Sequence, residues 1–168
     1  MFLSTLGAVH MGAAVAAMGL GTIVMFDAKG TAAHRLLGLG FAIAMVAVNF
    51  SALGLYRMTG HFGPFHALAL LSLAALARSL WPLIKREGEW LRLHYRYMII
   101  AYGGLMAAAV TEMLVRVPAT RVYFTTTASS FALGTGIAVA MAVIVRVVAP
   151  RFEQRTLRLA VAHMHAEA

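Results

Sequence analysis

Five stretches of the chain are long and apolar enough to cross a membrane, at about residues 5–26, 33–56, 64–84, 95–116 and 127–149. A helix that spans the hydrocarbon core needs about 20 predominantly apolar residues. Because lipid offers no hydrogen-bond partners to the backbone, such stretches fold as helices. We therefore predict an all-α integral membrane protein, a five-helix bundle in which four helices form the core. Residues 1–150 form this single domain, and residues 151–168 form a basic tail.

The composition excludes several classes of protein. The chain is 61% hydrophobic and 12% charged, and its mean hydropathy is +0.81. Soluble domains are about half apolar and about a quarter charged, so a soluble single-domain enzyme, a disordered tail and a nucleic-acid-binding protein are all excluded. The sequence has no cysteine, which excludes a disulfide framework, an iron–sulfur cluster and covalent c-type haem.

The net charge of +8 has an explanation in topology. With five spans, three of the fourteen basic residues lie on one side of the membrane: Arg57, Arg116 and Arg121. The other eleven lie on the opposite side: Lys29, Arg35, Arg78, Lys85, Arg86, Arg92, Arg96, Arg146, Arg151, Arg155 and Arg158. Since basic residues accumulate on the cytoplasmic side, we expect the N-terminus outside and the C-terminus in the cytoplasm. We expect the first apolar run to be a retained span and not a cleaved signal peptide.

Four of the seven histidines lie near helix starts, and the topology sorts them into two levels. His10 and His66 fall near the outer face, whereas His34 and His94 fall near the cytoplasmic face. At about 1.5 Å of rise per residue, the two levels are separated by roughly 20 Å. Each level therefore offers two histidines from two different helices.

Two histidines on facing helices are the axial ligand set of a b-type haem. We predict two bis-histidine haems, one held by His10 and His66 and the other by His34 and His94. Arg35 and Arg96 are expected to pair with haem propionates, as arginine pairs with carboxylates. The function that follows is electron transfer across the bilayer, between a quinol or cytoplasmic reductant and an outer acceptor; the sequence does not assign an enzyme activity.

Other interpretations of the same residues stay open. The histidines are also compatible with structural or proton-handling roles, or with a copper or zinc site. The alternative function is that of a cofactor-free accessory or assembly subunit of a larger respiratory or photosynthetic membrane complex; a small transporter is a third. The expected partners are membrane lipids, a quinol or redox protein, or such a complex, and not nucleic acid.

Four motifs carry a resemblance to a known family: HMGAAVAAMGLG from His10, KGTAAHRLLG from Lys29, FGPFHALALLSL from Phe62 and HYRYMIIAY from His94. Together they resemble the bacterial membrane proteins of domain-of-unknown-function family 2306, over residues from about 7 to about 147. The resemblance implies a multi-pass protein of the bacterial inner membrane. A looser, architectural similarity connects the two histidine levels to the dihaem cytochromes b of the 561-nm class, with no shared motif.

Overall fold

The computed structural model of the chain describes residues 4–55, 60, 62, 64–86, 88–121, 126, 128–129, 132–137, 139–140 and 143. It contains four long helices and a one-turn helix: α1 (Thr5–Phe26), α2 (Ala32–Leu53), α3 (Pro64–Lys85), α4 (Trp90–Arg116) and α5 (Pro118–Arg121). Each of the four long helices is long and apolar enough to cross a membrane. The prediction of an all-helical, multi-span membrane protein is therefore confirmed.

The predicted fifth span, 127–149, and the tail, 151–168, lie largely or wholly outside the described residues. Residues 132–137 of that span are described and are helical. A Cβ atom at Gly134 would lie 3.4 Å from Cγ2 of Thr111 on α4. This helical segment therefore lies against α4 at Gly134.

The helix boundaries follow local capping. Ser4 and Thr31 precede α1 and α2 and accept hydrogen bonds from the amides of Gly7 and His34, at 3.2 and 3.1 Å. A side-chain oxygen at this position satisfies an amide that has no partner within the helix. Helix α3 begins at Pro64, which loses nothing there because the first helical amide is unpaired anyway.

Two boundaries differ from the sequence prediction. Helix α2 ends at Leu53 rather than near 56, with Gly54 as its C-cap residue. Helix α4 begins at Trp90 rather than near 95, because a helix continues beyond the apolar core wherever its polar residues are satisfied. In that extra turn Arg92 forms an ion pair with Glu89 at 3.0 Å.

The four long helices are arranged in a square. In the described part of the chain, α1 packs against α2, α2 against α3, α3 against α4, and α4 against α1. Helices α1 and α3 therefore lie diagonally opposite each other, as do α2 and α4. The closest packing is within the pairs α1–α2 and α3–α4, so the bundle consists of two helical hairpins side by side.

Consecutive helices run antiparallel, which gives the bundle two distinct ends. Helices α1 and α3 begin at one end, and this is where His10 and His66 lie; we call it the His10/His66 end. Helices α2 and α4 begin at the other end, with His34 and His94; we call it the His34/His94 end. The predicted two levels of histidine correspond to these two ends.

Small side chains fill much of the interface between the helices. The buried residues of the core are Ala17, Phe41, Ala42, Ala44, Met45, Val48, Leu76, Ala101 and Leu105. Small residues let helix backbones approach closely, which membrane helices need because lipid gives them no hydrophobic driving force to associate. Large apolar side chains such as Ile43 and Leu71 are instead exposed on the outer surface, where lipid contacts them.

Gly21 lies where α1, α2 and α4 meet. A Cβ atom there would lie 2.5 Å from Cδ2 of Tyr102 and 2.9 Å from Cε2 of Phe41. These two rings pack edge to face, with centroids 6.2 Å apart. The Tyr102 hydroxyl also shares a 2.6 Å hydrogen bond with Thr22, which limits how far the ring can retreat.

We expect Gly21→Ala to destabilise the bundle by about 1–3 kcal/mol, because the added methyl group overlaps both rings in a close-packed interface. The measurement is unfolding in mixed detergent micelles at increasing fractions of sodium dodecyl sulfate. Gly19→Ala is the matched control, since a Cβ atom at Gly19 meets nothing within 4 Å. Equal unfolding midpoints for the two variants would contradict this packing.

Candidate functional site

The four membrane histidines lie on four different helices, two at each end of the bundle. His10 on α1 and His66 on α3 lie on one diagonal, and His34 on α2 and His94 on α4 lie on the other. His34 and His94 are close enough to interact electrostatically. Each pair therefore comes from opposite helices at the same end.

His10 is held by the last turns of α2. Its Nδ1 atom lies 3.1 Å from the carbonyl oxygen of Val48 and 3.0 Å from Oγ of Ser51. Because a carbonyl oxygen only accepts, Nδ1 carries the proton and donates it. Ser51 in turn donates to carbonyl oxygens of its own helix, at 2.6 Å to Ala47 and 2.9 Å to Val48.

His94 is held in the same way at the other end. Its Nδ1 atom lies 3.0 Å from the carbonyl oxygen of Ser79 on α3, so Nδ1 again carries the proton. The Ser79 hydroxyl donates to the carbonyl oxygen of Leu76 at 2.6 Å and is fully buried. In the neutral form of either histidine, this hydrogen bond leaves the lone pair on Nε2.

His66 is the most buried of the four histidines, at 3% exposure. Its ring packs against the ring of Phe62, with centroids 5.1 Å apart and the planes 30° apart. Phe62 lies two residues before the start of α3, so this contact orients the histidine from outside the helix.

His34 differs from His10 and His94 in its hydrogen bonding. Its Nδ1 atom is buried and has no hydrogen-bond partner among the described residues. Besides His94, the groups that act on it electrostatically are Lys29, Asp27 and Arg35. Polar groups from the connection before α2 therefore surround this histidine.

The two arginines predicted to pair with propionates lie at the His34/His94 end, and both are exposed. Arg35 donates from Nη1 to the carbonyl oxygen of Gly30 at 3.1 Å. Arg96 follows His94 by two residues on α4. Their position agrees with the expected depth, and their pairing with a propionate stays a prediction.

Lys29 closes the C-terminal end of α1. Its ammonium group donates to the carbonyl oxygens of Val24, Met25 and Asp27, at 2.7, 2.8 and 2.8 Å. All three of its protons are thus used on carbonyl groups that the end of a helix leaves without partners. Burial lowers the pKa of Lys29, an effect that the nearby Asp27 carboxylate partly reverses.

Asp27 lies in the same connection, and only one of its two carboxylate oxygens accepts a hydrogen bond there. Oδ1 accepts from the amide of Ala28 at 2.8 Å. Oδ2 is buried and has no hydrogen-bond partner in the described part of the chain. The α1–α2 connection thus places an acceptor without a donor near His34.

The hydrogen bonding of one histidine at each end suits iron ligation. Iron ligation requires a neutral imidazole with one free nitrogen, and the second ring nitrogen of a metal ligand usually donates to a carbonyl or carboxylate. His10 and His94 have this arrangement, one at each end. Within the described residues there is no group of three or more histidine, aspartate or glutamate side chains placed to hold a metal ion.

A family model described as a predicted membrane protein, DUF2306, matches residues 7–150. The chain belongs to this family. The match includes α2, α3, α4, all but the first two residues of α1, and the four histidines. No curated protein and no solved structure matches the chain significantly.

In this DUF2306 protein the sequence identified the histidines but missed the groups that hold them. Val48 and Ser79 act through backbone carbonyl oxygens, which every residue has, so no sequence pattern distinguishes them. From the sequence, Asp27 and Lys29 were predicted only to lie in a polar connection between two spans. A charged pair directly after an apolar run is the signal that would have drawn attention to them.

We expect Lys29→Met to destabilise the protein by about 1–2 kcal/mol, because it keeps the alkyl stem and loses three charge-assisted hydrogen bonds at a helix end. Unfolding in mixed micelles measures the change. Lys85→Met is the control, since Lys85 is an exposed lysine in the last turn of α3 and its loss is expected to change stability by less than about 0.5 kcal/mol. Equal losses in the two variants would contradict the capping role.

Proposed function

We propose that this protein is a transmembrane electron carrier that holds two b-type haems, one at each end of its four-helix bundle. The proposal is supported by one observation above all. The four membrane histidines occur as two pairs, and each pair comes from diagonally opposite helices at one end of the bundle. Diagonal helices face each other across the bundle axis, so His10 and His66 would hold one haem between them and His34 and His94 the other.

The histidine tautomers support the same proposal. Hydrogen bonds from Nδ1 of His10 to Val48 and from Nδ1 of His94 to Ser79 leave Nε2 able to bind iron. Donation from Nδ1 to a carbonyl oxygen fixes the tautomer and would raise the basicity of Nε2 as a ligand. His66 and His34 complete the two pairs.

The chain's own residues then have defined tasks. Each histidine pair holds and orients one cofactor, and the apolar core between the ends keeps water away from it. Arg35 and Arg96 neutralise acidic groups at the His34/His94 end. The bound b-type haems supply a one-electron couple at each end of the bundle.

The proposed orientation places the His34/His94 end in the cytoplasm of a bacterial cell, with the protein in the inner membrane and the N-terminus outside. Support comes from the charges: Lys29, Arg35, Arg78, Lys85, Arg86, Arg92 and Arg96 all lie at this end or in its connections. Basic residues near span ends set the orientation of a membrane protein.

The proposal predicts a specific pattern of haem loss in histidine variants. We expect His34→Ala to halve the haem content, and the double variant with His94→Ala to lose no more, because both residues serve one site. Combining His34→Ala with His66→Ala removes both haems, because each residue serves a different site. Haem content per protein, with the reduced-minus-oxidised spectrum, is measured after purification in detergent from haem-replete cells.

His163→Ala, in the tail, is the control and keeps both haems. Unfolding midpoints of the variants separate haem loss from misfolding. Wild-type protein without a b-type spectrum would contradict the proposal and favour the alternative of a cofactor-free accessory or assembly subunit. Equal losses in all double variants would contradict the pairing.

The orientation is tested separately. A phosphatase reporter, active only outside the cytoplasm, is fused to the connection after Lys85, at the His34/His94 end. We expect an inactive fusion, and an active fusion at the N-terminus. The opposite result would reverse the proposed sides.

A further inference from the structure

Arg78 lies inside a membrane-spanning segment and has no acidic partner among the described residues. It is exposed and precedes Lys85, the last residue of α3, by seven residues. Its Cα atom is therefore about 10 Å from the end of that helix. A charged side chain within a span is costly and indicates a functional site, in which a counter-charge is the expected partner.

Aromatic rings of α4 hold Arg78 and a second arginine on the same side of the α3–α4 hairpin. The guanidinium carbon of Arg78 lies 5.6 Å from the ring centroid of Tyr97. That of Arg86 lies 5.8 Å from the ring centroid of Trp90, which shares a face of α4 with Tyr97 because the two are seven residues apart. A ring attracts a cation without neutralising it, so Arg78 still lacks a counter-charge in the described part of the chain.

The outer stripe of α3 that contains Arg78 changes from apolar to basic toward the His34/His94 end. Its members follow one another at helical spacings of three and four and are all exposed: Leu71, Ala74, Arg78, Trp81 and Lys85. Leu71 and Ala74 lie deeper in the span and offer an apolar surface to acyl chains. Trp81 lies between the two cations, and tryptophan prefers the level of the lipid headgroups.

The balance of charge identifies the ligand as an anion. Residues 78–96 contain five basic and two acidic side chains, and one of the acidic ones, Glu89, is already paired with Arg92. A phosphate group matches the forked donors of a guanidinium. An anionic phospholipid presents that group at the membrane interface, joined to acyl chains, whereas a soluble phosphate would leave the apolar part of the stripe unused.

We propose that the outer face of the α3–α4 hairpin is a binding site for an anionic phospholipid. The lipid phosphate accepts hydrogen bonds from Arg78 and lies on the side toward Lys85, and the acyl chains lie along Leu71 and Ala74. The site is separate from the histidines: Ser79, whose carbonyl oxygen accepts from His94, is buried, whereas the stripe is exposed. Lipid binding therefore does not depend on the proposed haems.

The test uses the two tryptophans of the sequence, Trp81 and Trp90, because both lie at the proposed site. Full-length protein is reconstituted in phosphatidylcholine vesicles that contain an equal mole fraction of dibrominated phosphatidylglycerol or dibrominated phosphatidylcholine. Bromine quenches tryptophan fluorescence only at short range, so quenching reports the lipid beside these rings. Each intensity is divided by that in unbrominated vesicles of the same headgroup composition, which cancels constant quenching by a bound cofactor.

We expect the wild-type site to prefer phosphatidylglycerol by about fivefold or more, because one basic residue near the membrane surface contributes about that factor. Arg78→Gln brings the preference close to equality, and Arg78→Lys retains most of it because lysine also binds phosphate. Arg92→Gln is the matched control. It removes the same charge at the same end, five residues before Tyr97 and therefore from another face of α4, and it leaves the preference nearly unchanged.

Equal quenching by the two brominated lipids in the wild-type protein, an unchanged preference in Arg78→Gln, or the same loss in Arg92→Gln would each overturn the proposal. A further arm adds inorganic phosphate, compared with sodium chloride at the same ionic strength. Loss of the preference in phosphate alone would identify soluble phosphate as the ligand and would also overturn the proposal. The wild-type comparison needs no variant, so misfolding of Arg78→Gln does not remove the test.

Discussion

The hydrocarbon core of the membrane offers no partner to a polar group, and this constraint governs the whole structure. The backbone meets it by forming four long helices. Polar side chains meet it by bonding to those helices: Asn49 donates to the carbonyl oxygen of Met45 at 2.7 Å, and Thr111 donates to that of Ala107 at 2.8 Å. Against this background, Oδ2 of Asp27 and Nδ1 of His34 are exceptions, because neither has a hydrogen-bond partner in the described part of the chain.

Close packing of antiparallel helices gives the bundle two distinct ends. Gly21 and the small residues of the core let adjacent hairpins approach each other, and the short connections make neighbouring helices antiparallel. A histidine placed early in each helix then falls at alternate ends, and on diagonal helices. The same side-chain contacts that hold the hairpins together, such as His10 with the end of α2, also fix the ring tautomers that the proposed function needs.

Much of the fold was predictable because its determinant is local in sequence. A run of apolar residues predicts a span wherever it occurs, and the predicted limits of α1 and α3 agree closely with the structure. The early start of α4 was not predictable from hydropathy, because hydropathy marks the apolar part of a helix and the first turn of α4 includes the charged Arg92. The site was predictable as four histidines and two levels. Its anchors at Val48 and Ser79, and the unsatisfied Asp27, depend on which helix lies next to which, and hydropathy contains no such information.

The proposed function requires that the two histidine pairs hold two haems in one chain, one at each end of the bundle. The most direct measurement is the number of haem b groups per polypeptide, obtained by pyridine haemochromogen extraction and quantitative amino-acid analysis of the same purified sample from haem-replete cells. Two haems per chain is the result that this account predicts. One haem per chain, or none, would contradict it.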